Sequence, residues 1–474
     1  MNKSTHDCVA IDFGASSGRV MLGRFDGASI QLEELHRFSN DPVMVSGTLH
    51  WDVLRLLHEI KQGLAKAAQS GADVRSIGVD TWGVDFALLD ERGQMLQNPV
   101  HYRDARNTGA VASAAKHYPL QDFYAETGIQ FMDWNTAFQL HAIRQAQPEL
   151  LERADRLLFL PDLFGYFLTG QMTTEYSIAG TSQLLSLSTG DWSEIVMEKL
   201  KLPKRLFGKI VPSGTYLGAL LPEIQRETGL GSVPVVSVCG HDTQSARAAV
   251  PSKTPRFAFL SSGSWSLLGT ETDKPIADER SFARNITNEA GFGGTFGFLK
   301  NINGLFFIQE SRRYFNRDGA QYGYADLERL ATEVPRNLAL IDPNDPLFVA
   351  PGDIPVRVQQ YCSNTNQPVP QSIGEIIRCI YESLAQKYKD VLLDLQTCTG
   401  KTYDRLHVIG GGAKDGYLCQ LTANACGIDV MAGPVEATVL GNLCVQLIQA
   451  GKLESIAAAR EMLAQGDIKT YRSR

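Results

Sequence analysis

The sequence predicts an α/β fold made of two similar domains, and three observations support this prediction. Strand-like segments alternate with segments of helical spacing along most of the chain. A short motif, x-x-G-[Ala/Ser]-x-Ser, occurs as DFGASS around Gly14 and again as SSGSWS around Gly263, each time in a turn between two predicted strands. The 474 residues also exceed what one hydrophobic core usually supports. We therefore expect a boundary near residue 245, with domains spanning residues 1–245 and 246–474.

The first half begins with a three-stranded meander, followed by a helix and another strand. The three strands are separated by small-residue turns and read CVAIDF, GRVMLGRF and IQLEELHRF. Residues 51–68 have helical spacing, and the expected buried face is Leu54, Leu56, Leu57, Ile60, Leu64 and Ala67. The segment SIGVDTWG, residues 76–83, is predicted to be the next strand.

The second half repeats the opening pattern and contains the clearest helix. RFAFLSSGSWSLLGTET, residues 256–272, reads as strand, turn and strand. Ser372 and Glu375 form a capping-box pattern in front of a long apolar stripe, which predicts a helix from there onward. RLHVIGGG, residues 405–412, is a predicted strand that ends in three glycines and leads into another helix.

Composition excludes several classes of protein. The net charge is −7, and no cluster of Lys and Arg marks a nucleic-acid or membrane-binding surface. No stretch approaches the roughly 20 apolar residues of a membrane span, and the N-terminus lacks the apolar core of a signal peptide. The eight cysteines form no C-x-x-C pair, so free buried thiols are expected. We therefore expect a cytoplasmic protein that binds neither nucleic acid nor membrane.

Two small-residue turns are candidate phosphate-binding loops. Glycine and small hydroxyl residues let backbone amides approach a phosphate closely, and this composition occurs at residues 14–19 and 261–264. Each turn read alone is equally consistent with a tight hairpin. The glycines at 410–412 could lie against a purine or form a plain turn. Asp12 ends the first strand beside the first loop, where a carboxylate can hold Mg²⁺ through water. P-loop and Rossmann glycine motifs are absent from the sequence.

Two further segments hold candidate site residues. Trp82 lies between Asp80 and Asp85, and an aromatic face with nearby carboxylates suits a sugar, although Trp82 could equally be a core residue. Asp242 follows the apolar run VPVVSV and His241, and precedes a helical segment. Such an aspartate is often a helix N-cap, and it could also accept a proton in catalysis.

In its motifs, the chain resembles the FGGY family of carbohydrate kinases, which have an actin-like fold. The stretches that carry the resemblance run from about residue 8 to 443 and include VAIDFGASSGRVML, IGVDTWGVDFALLD, PVHYRDAR, GHDTQSA, LSSGSWSLLG, LKNINGLFFIQE, HVIGGG and ACGIDVMAGPVEATVLGN. The resemblance implies two duplicated actin-like (ribonuclease H-like) ATPase domains with an interdomain cleft. It also implies that the first domain binds the sugar and carries the first phosphate loop, while the second binds the nucleotide.

The resemblance assigns roles to individual residues. Asp242 matches the family's proton acceptor, and Asp242 itself, Gly83, His241, Thr243 and Asn301 match sugar-contacting positions. The positions that match ATP contacts are Ala15, Ser16, Ser17, Gly18, Arg19, Ser264, Gln309 and Gly412. ATP and Mg²⁺ are the implied cofactors, a small ketose is the implied partner, and a monomer or weak homodimer is expected.

The motif wording is closest to members that phosphorylate L-rhamnulose at O1. That activity would yield L-rhamnulose 1-phosphate and ADP in L-rhamnose degradation. Two alternatives stay open: a kinase for another ketose, L-fuculose or xylulose, and an actin-like ATP switch that phosphorylates no small molecule. Three positions depart from common family residues, since Ser264 replaces Thr, Ala290 replaces Gly and Asp415 replaces Asn; the last weakens any contact of residue 415 with the nucleotide.

Overall fold

The computed structural model describes residues 5–14, 16–254, 256–336, 338–350 and 352–474. The chain divides into two compact units. The first is drawn from Met1–Ala249, Thr272–Phe298 and Ala437–Leu463, and the second from Val250–Glu271, Leu299–Glu436 and Ala464–Arg474. A segment near the C-terminal end of the chain therefore belongs to the first unit.

Strands and helices alternate along the described chain. The strands are β1 (His6–Phe13), β2 (Ser17–Phe25), β3 (Ile30–Ser39), β4 (Val43–Val45), β5 (Thr48–His50), β6 (Val74–Asp80), β7 (Phe86–Leu89), β8 (Arg156–Phe159), β9 (Thr174–Glu175), β10 (Ile210–Val211), β11 (Thr215–Ala219), β12 (Pro234–Ser237), β13 (Ala258–Ser262), β14 (Trp265–Thr272), β15 (Thr287–Ala290), β16 (Phe296–Asn303), β17 (Arg405–Ile409), β18 (Asp429–Ala432) and β19 (Lys469–Tyr471). The helices are α1 (Val53–Gln69), α2 (Ala110–Ala114), α3 (Leu120–Thr127), α4 (Thr136–Ala146), α5 (Pro148–Arg153), α6 (Leu160–Thr169), α7 (Tyr176–Ala179), α8 (Glu194–Lys199), α9 (Pro222–Thr228), α10 (Asp242–Ala248), α11 (Glu279–Ala283), α12 (Phe306–Phe315), α13 (Tyr324–Thr332), α14 (Ile354–Asn364), α15 (Ile373–Thr399), α16 (Gly416–Cys426), α17 (Ala437–Gln449) and α18 (Ile456–Leu463).

The first unit is built on a six-stranded sheet with the order β11-β12-β6-β1-β2-β3. Strands β12, β6 and β1 are parallel neighbours, whereas β2 and β11 run antiparallel to β1 and β12. Side chains of β1 alternate between two cores, as expected of a central strand. Val9, Ile11 and Phe13 face a core that includes residues of α1 and α6, while Cys8 and Ala10 face residues of α17.

Glycines allow α17 to approach its neighbours closely. A side chain at Gly78 on β6 would collide with Asn442 of α17, because an added Cβ would lie 2.5 Å from Asn442 Oδ1. A Cβ at Gly441 would lie 1.8 Å from the carbonyl oxygen of Ser245 on α10. These contacts fix α17 against the sheet and against the helix that begins at Asp242.

The second unit repeats the connectivity of the first. Its strands follow the order β16-β14-β13-β17-β18-β19, in which β13 is antiparallel to β14 and parallel to β17. In the first unit β1 is likewise antiparallel to β2 and parallel to β6. The motif repeat at Gly14 and Gly263 therefore marks the same hairpin in two copies of one topology.

Most predicted elements are confirmed, with one error in the buried face of α1. The opening meander, the 256–272 hairpin and the strand before the three glycines are all present, and Ser372 and Glu375 do form a capping box. Leu54 was expected to be buried but is 59 % exposed, because the buried stripe of α1 starts at Val53.

All eight cysteines are free and seven of them are buried. None of the described helices combines the length and the apolar composition needed to cross a membrane.

Candidate active site

Three aspartates meet at one edge of the sheet in the first unit. Asp12 is the last residue but one of β1 and Asp80 is the last residue of β6, and the two are register partners in this parallel pair. Asp242 follows β12, the parallel strand on the other side of β6. The carboxyl ends of parallel strands lie at the same edge of a sheet, which is where α/β proteins usually bind ligands. The topology thus brings together three acidic groups that are far apart in sequence.

The backbone around Asp242 is held on two sides. Its amide donates to the carbonyl oxygen of Thr81 at 2.8 Å, and the Thr81 amide donates to Gly240 O at 2.9 Å, which extends the β6 and β12 pairing by one step. The buried Glu175 carboxylate accepts from the Gly240 amide at 2.9 Å and also from Ser177 and Ser213 hydroxyls. These bonds fix the position from which the Asp242 side chain projects.

Asp242 is the first residue of α10 and not its N-cap. His241 occupies the capping position in an extended conformation, and its side chain makes no capping bond, so the interpretation of Asp242 as the helix cap is wrong. The extended bridge to Thr81 delays the helix by one residue. The side chain of Asp242 remains 29 % exposed, and Thr243 Oγ1 donates to its Oδ1 at 3.2 Å. Thr243 itself is buried.

The surroundings of Asp242 adjust its proton affinity to the neutral range. Burial raises the pKa of Asp242 to about 6, with the imidazole of His241 lowering it and the Asp12 carboxylate raising it. His241 is buried between two carboxylates: its Nε2 lies 3.5 Å from Asp242 Oδ1, and its Nδ1 lies 3.2 Å from Glu289 Oε2. A carboxylate in this state is ionised at neutral pH and still basic enough to accept a proton.

Asp80 is held differently from Asp242. It is fully buried, and its Oδ2 accepts from Asn442 Nδ2 at 2.6 Å. Burial and the nearby Asp12 carboxylate raise the pKa of Asp80 well above its usual range, which favours the neutral carboxylic acid. Gln446, one turn along α17, donates to Asn442 Oδ1 and to the Val9 carbonyl, so the amide of Asn442 has a fixed orientation.

The segment after β6 is a buried structural cluster and not an exposed sugar-binding face. Trp82 is only 6 % exposed, and its Nε1 donates to Asp85 Oδ2 at 2.9 Å. Trp51 donates to the same oxygen at 2.6 Å, and the two indoles pack together. Of the two interpretations of Trp82, its burial supports the core residue and not the aromatic face for a ligand. Gly83 is half-buried, and a Cβ there would lie 3.1 Å from Thr181.

The first candidate phosphate loop is the turn between β1 and β2. Ala15 lies outside the described residues, Ser16 is exposed, and Ser17 is the half-buried first residue of β2. Asn40 binds two carbonyl oxygens of this turn. Its side-chain amide donates to Gly14 O at 3.0 Å, and its backbone amide donates to Ser16 O at 3.1 Å. These two bonds hold the carbonyl oxygens of Gly14 and Ser16 in place.

Gly18 and Arg19 have structural reasons for being in this loop. A Cβ on Gly18 would lie 2.4 Å from the ring of Phe38, so packing alone requires a glycine there. Arg19 Nη2 donates to Asp12 Oδ2 at 2.5 Å, which joins the candidate phosphate loop to the candidate Mg²⁺-holding carboxylate. Among the described side chains, no group of three or more His, Cys, Asp or Glu forms a ready-made metal chelate.

The remaining predicted ATP contacts gather in the second unit. Ser264 lies in the turn after β13, and its hydroxyl donates to Gln309 Oε1 at 2.9 Å. Gly412 follows β17, the parallel neighbour of β13, and a Cβ there would lie 2.0 Å from Ser262 Oγ. The structure therefore brings these three predicted residues to one edge of the second sheet. Asn301 also belongs to this unit, as a half-buried residue of β16.

Asp415 has a structural role in the same unit. Its Oδ1 accepts from the Leu418 amide at 2.9 Å as the N-cap of α16, and its Oδ2 accepts from the Tyr381 hydroxyl at 2.9 Å. Both carboxylate oxygens are thus engaged within the protein. Asp and Asn are comparable N-caps, which accounts for the departure from the usual family residue.

Sequence reasoning missed the residues that support the three aspartates. Glu175, Glu289 and Asn442 contact the site from segments distant in sequence; the bond from Asn442 to Asp80 spans 362 residues. For Glu289 a signal existed, because it is the acidic residue of the segment NEAG. For Asn442, one sequence offers no such signal.

Two units with one shared topology, each with a small-residue turn at its first hairpin, define the actin-like (ribonuclease H-like) ATPase class. Solved structures share this fold over nearly the whole chain. Xylulose kinase from Lactobacillus acidophilus superposes with a TM-score of 0.81 at 16 % identity, covering 99 % of this chain and 94 % of that one. Glycerol kinase from Plasmodium falciparum, solved with ADP, superposes with a TM-score of 0.78 at 14 % identity, covering 99 % and 94 %.

The chain belongs to the FGGY family of carbohydrate kinases. Residues 8–249 match the family's N-terminal domain and residues 258–450 match its C-terminal domain. A rhamnulokinase from Bacteroides thetaiotaomicron is 42 % identical over 463 residues, which cover 98 % of this chain and 95 % of that protein. The family resemblance and the kinase class predicted from the sequence are confirmed.

Proposed function

We propose that this protein transfers the γ-phosphoryl group of ATP to O1 of L-rhamnulose, giving L-rhamnulose 1-phosphate and ADP. The substrate is suggested by the rhamnulokinase that is 42 % identical over nearly the full length. The observation that carries the chemistry is Asp242, a partly exposed carboxylate at the carboxyl edge of parallel strands with a pKa of about 6. A general base of a kinase needs this combination of access and proton affinity.

In the proposed reaction, Asp242 orients the O1 hydroxyl and accepts its proton. The bond between O1 and the γ-phosphorus forms while the bond from that phosphorus to the bridging oxygen of ADP breaks, and the O1 proton moves to the Asp242 carboxylate. Phosphoryl transfer depends mainly on alignment and charge neutralisation, so a rigid base contributes by positioning. The backbone bonds from Thr81 and from Glu175 supply that rigidity.

We propose that the binding residues predicted from the sequence contact the two substrates of this reaction. Gly83, His241, Thr243 and Asn301 are the proposed sugar contacts. His241 and Thr243 also contact Asp242 directly. The proposed ATP contacts are Ala15 to Arg19, Ser264, Gln309 and Gly412.

Magnesium fits beside Asp12. The donors at this edge are oxygen atoms, which Mg²⁺ prefers, and the buried Asp80 Oδ1 has no hydrogen-bond partner among the described residues. Burial and the like charge of Asp12 raise the pKa of Asp80, and a bound cation would counter both and favour its ionised form. Asp12 would hold the ion, with water completing the coordination, and Arg19 would hold the phosphates at the first loop. When bound, Mg²⁺ would neutralise phosphate charge.

A ketose panel tests the substrate assignment. ADP release is measured with ATP and Mg²⁺ and each of L-rhamnulose, L-fuculose and D-xylulose, and ³¹P NMR identifies the phosphorylated position. The expected result is the highest kcat/KM for L-rhamnulose, with a 1-phosphate product. A higher value for another ketose would reassign the substrate, and ATP hydrolysis independent of sugar would support a switch instead.

Asp242→Asn tests the role of the base. The variant should fold and bind both substrates but lose about 100-fold or more of kcat, because an amide cannot accept the proton. Asp52→Asn is the matched control: Asp52 also begins a helix, as the N-cap of α1, and asparagine caps equally well. Turnover of Asp242→Asn within a few-fold of the control would refute the assignment.

A further inference from the structure

His241 lies between two carboxylates that come from different elements. Its Nε2 faces Asp242 Oδ1 at 3.5 Å, and its Nδ1 faces Glu289 Oε2 on β15 at 3.2 Å. The side chains of His241 and Glu289 are 9 % and 6 % exposed. A buried imidazole in this position can carry a proton on Nδ1, on Nε2 or on both nitrogens. The hydrogen-bond partners of Glu289 indicate which of these states is favoured.

The orientation of Glu289 is fixed by a chain of donors. Arg247 Nε donates to Gln244 Oε1 at 2.7 Å, and a guanidinium can only donate, so the Gln244 amide oxygen must face Arg247. Gln244 Nε2 must therefore face Glu289, where it donates to Oε2 at 2.9 Å. Arg247 is held in turn by the Thr295 hydroxyl at 3.0 Å and lies over Gly291, where a Cβ would be 1.6 Å from its Nη2.

This arrangement favours a proton on Nδ1 of His241. Gln244 donates to the Glu289 oxygen that faces the imidazole, so that oxygen is an acceptor, and its negative charge 3.2 Å from Nδ1 stabilises a proton on this ring nitrogen. The contact between His241 and Glu289 has ion-pair distance without in-line hydrogen-bond geometry. The negative charge of Glu289, and not only its oxygen, is therefore what favours this state of the ring.

The charges around the imidazole act in the same direction. Burial lowers the pKa of His241, but the carboxylates of Glu289, Asp242 and Glu175 together raise it above its usual value. The charged imidazole in turn lowers the pKa of Asp242, against burial and the Asp12 carboxylate, which raise it. Asp80 faces the same group from β6 and is affected by Asp242 through its charge.

The geometry points to Glu289 as a positioning residue that holds the protonated ring of His241 against the carboxylate of Asp242. This inference rests on the proposed role of Asp242 as the base. No proton moves through His241 or Glu289 in the transfer itself. Their contribution is to keep Asp242 ionised and oriented before O1 arrives.

Glu289→Gln removes the negative charge of this side chain while keeping its size and shape. Both contacts to this residue are made to one oxygen, so the amide oxygen of glutamine can keep them while the negative charge is lost. Glu289→Asp keeps the charge but moves it away by one methylene. The matched control is Asp7→Asn, which neutralises a carboxylate of similar burial at the opposite end of β1 from Asp12.

The first readout is the titration of His241, which does not depend on activity. In protein carrying ¹⁵N-histidine, the His241 signals are identified by their loss in His241→Gln. Glu289→Gln should lower the midpoint of this titration by about 1 pH unit or more, because an opposing charge within about 4–6 Å has been removed. Glu289→Asp should lower it less, and Asp7→Asn should leave it unchanged. An unchanged midpoint in the glutamine variant would overturn the inference, and if that variant does not fold, an unchanged midpoint in the aspartate variant would do so.

The second readout is the pH dependence of kcat/KM for the sugar. Wherever Glu289→Gln leaves His241 less charged than in wild type, Asp242 binds its proton more tightly, so the acidic limb of this variant should move upward. For a shift of about 1 unit from a limb near 6, the loss is roughly 5-fold at pH 6 and negligible at pH 8.5. An equal loss at every pH would indicate a merely structural role and refute the inference.

Failure of the proposed function gives a different result. If wild type phosphorylates another ketose, the same pH comparison is made with that substrate. If it phosphorylates none, the function is wrong, and the His241 titration still decides whether Glu289 holds the charged ring.

Discussion

Gly441→Ala should weaken both the stability and the turnover of this kinase, although alanine is the better helix former. Gly441 lies in α17 where it crosses α10, and a Cβ there would be 1.8 Å from the Ser245 carbonyl oxygen. Real Cβ atoms essentially never come closer than 3.0 Å to such an atom, so the two backbones must separate by at least about 1.2 Å. A side chain could rotate away from such a contact, but a backbone carbonyl within a helix cannot.

The two opposing terms can be compared. Alanine in a helix interior is favoured over glycine by about 1 kcal/mol. Overpacking of a well-packed interior costs about 1–3 kcal/mol, and a contact between backbones belongs at the upper end of this range. We therefore expect a net loss of about 1–2 kcal/mol in the free energy of unfolding.

The consequence for catalysis follows from the position of α10. Asp242 is the first residue of this helix, one turn before Ser245, so a displacement at the crossing moves the proposed base. A misplacement of about 1 Å can cost about 100-fold in rate, and kcat should fall by a factor of this order. Thermal unfolding and the ADP-release assay measure the two effects.

Gly231→Ala is the control, because a Cβ at Gly231 would have no atom of the other described residues within 4 Å, its two chain neighbours aside. An unchanged or higher midpoint of unfolding for Gly441→Ala, with wild-type kcat, would refute the packing argument. Lower stability with full kcat would retain the packing argument and refute the link from the helix crossing to the base.

Two further substitutions test the structural roles of Trp82 and Asp415. Trp82→Phe removes a donor to the buried Asp85 and should lower the free energy of unfolding by about 1.5–3 kcal/mol. The KM for the ketose should not change. A tenfold higher KM at full stability would instead support the interpretation that Trp82 stacks against the sugar. Asp415→Asn should keep the N-cap of α16 and change stability by less than about 0.5 kcal/mol, whereas Asp415→Ala should cost about 1 kcal/mol in urea unfolding. Equal losses for these two variants would show that residue 415 is not acting as a cap.

Local patterns in the sequence predict most of the elements of this fold. The capping box at Ser372 and the turn at Gly263 are determined by residues a few positions apart, and both are present. Leu54 shows the limit of periodicity: several leucines occur near the start of α1, and only packing against the sheet selects the stripe that begins at Val53. The burial of Trp82 could not be predicted for a similar reason, because its partner Trp51 lies in another segment of the chain.

The supporting residues of the site could not be predicted, because their contacts depend on the assembled fold. His241 meets Glu289 only when β15 packs beside α10, and neither local spacing nor composition encodes this pairing. Asn442 reaches Asp80 because Gly78 leaves space on β6, which is a property of two segments together. Residues that carry chemistry have recognisable types, whereas the residues that hold them are defined by geometry.

The three aspartates at the sheet edge show how geometry assigns roles to identical side chains. Asp80 is fully buried and bonded to Asn442, and its raised pKa favours the neutral acid, so it cannot serve as an accessible base. Asp12 is paired with Arg19 at the loop proposed for phosphate. Asp242 alone combines an exposed fraction of 29 % with a charged imidazole beside it and a pKa of about 6. Environments that separate the pKa values of like groups are how active sites distinguish acid from base, and here they favour Asp242 as the proposed proton acceptor.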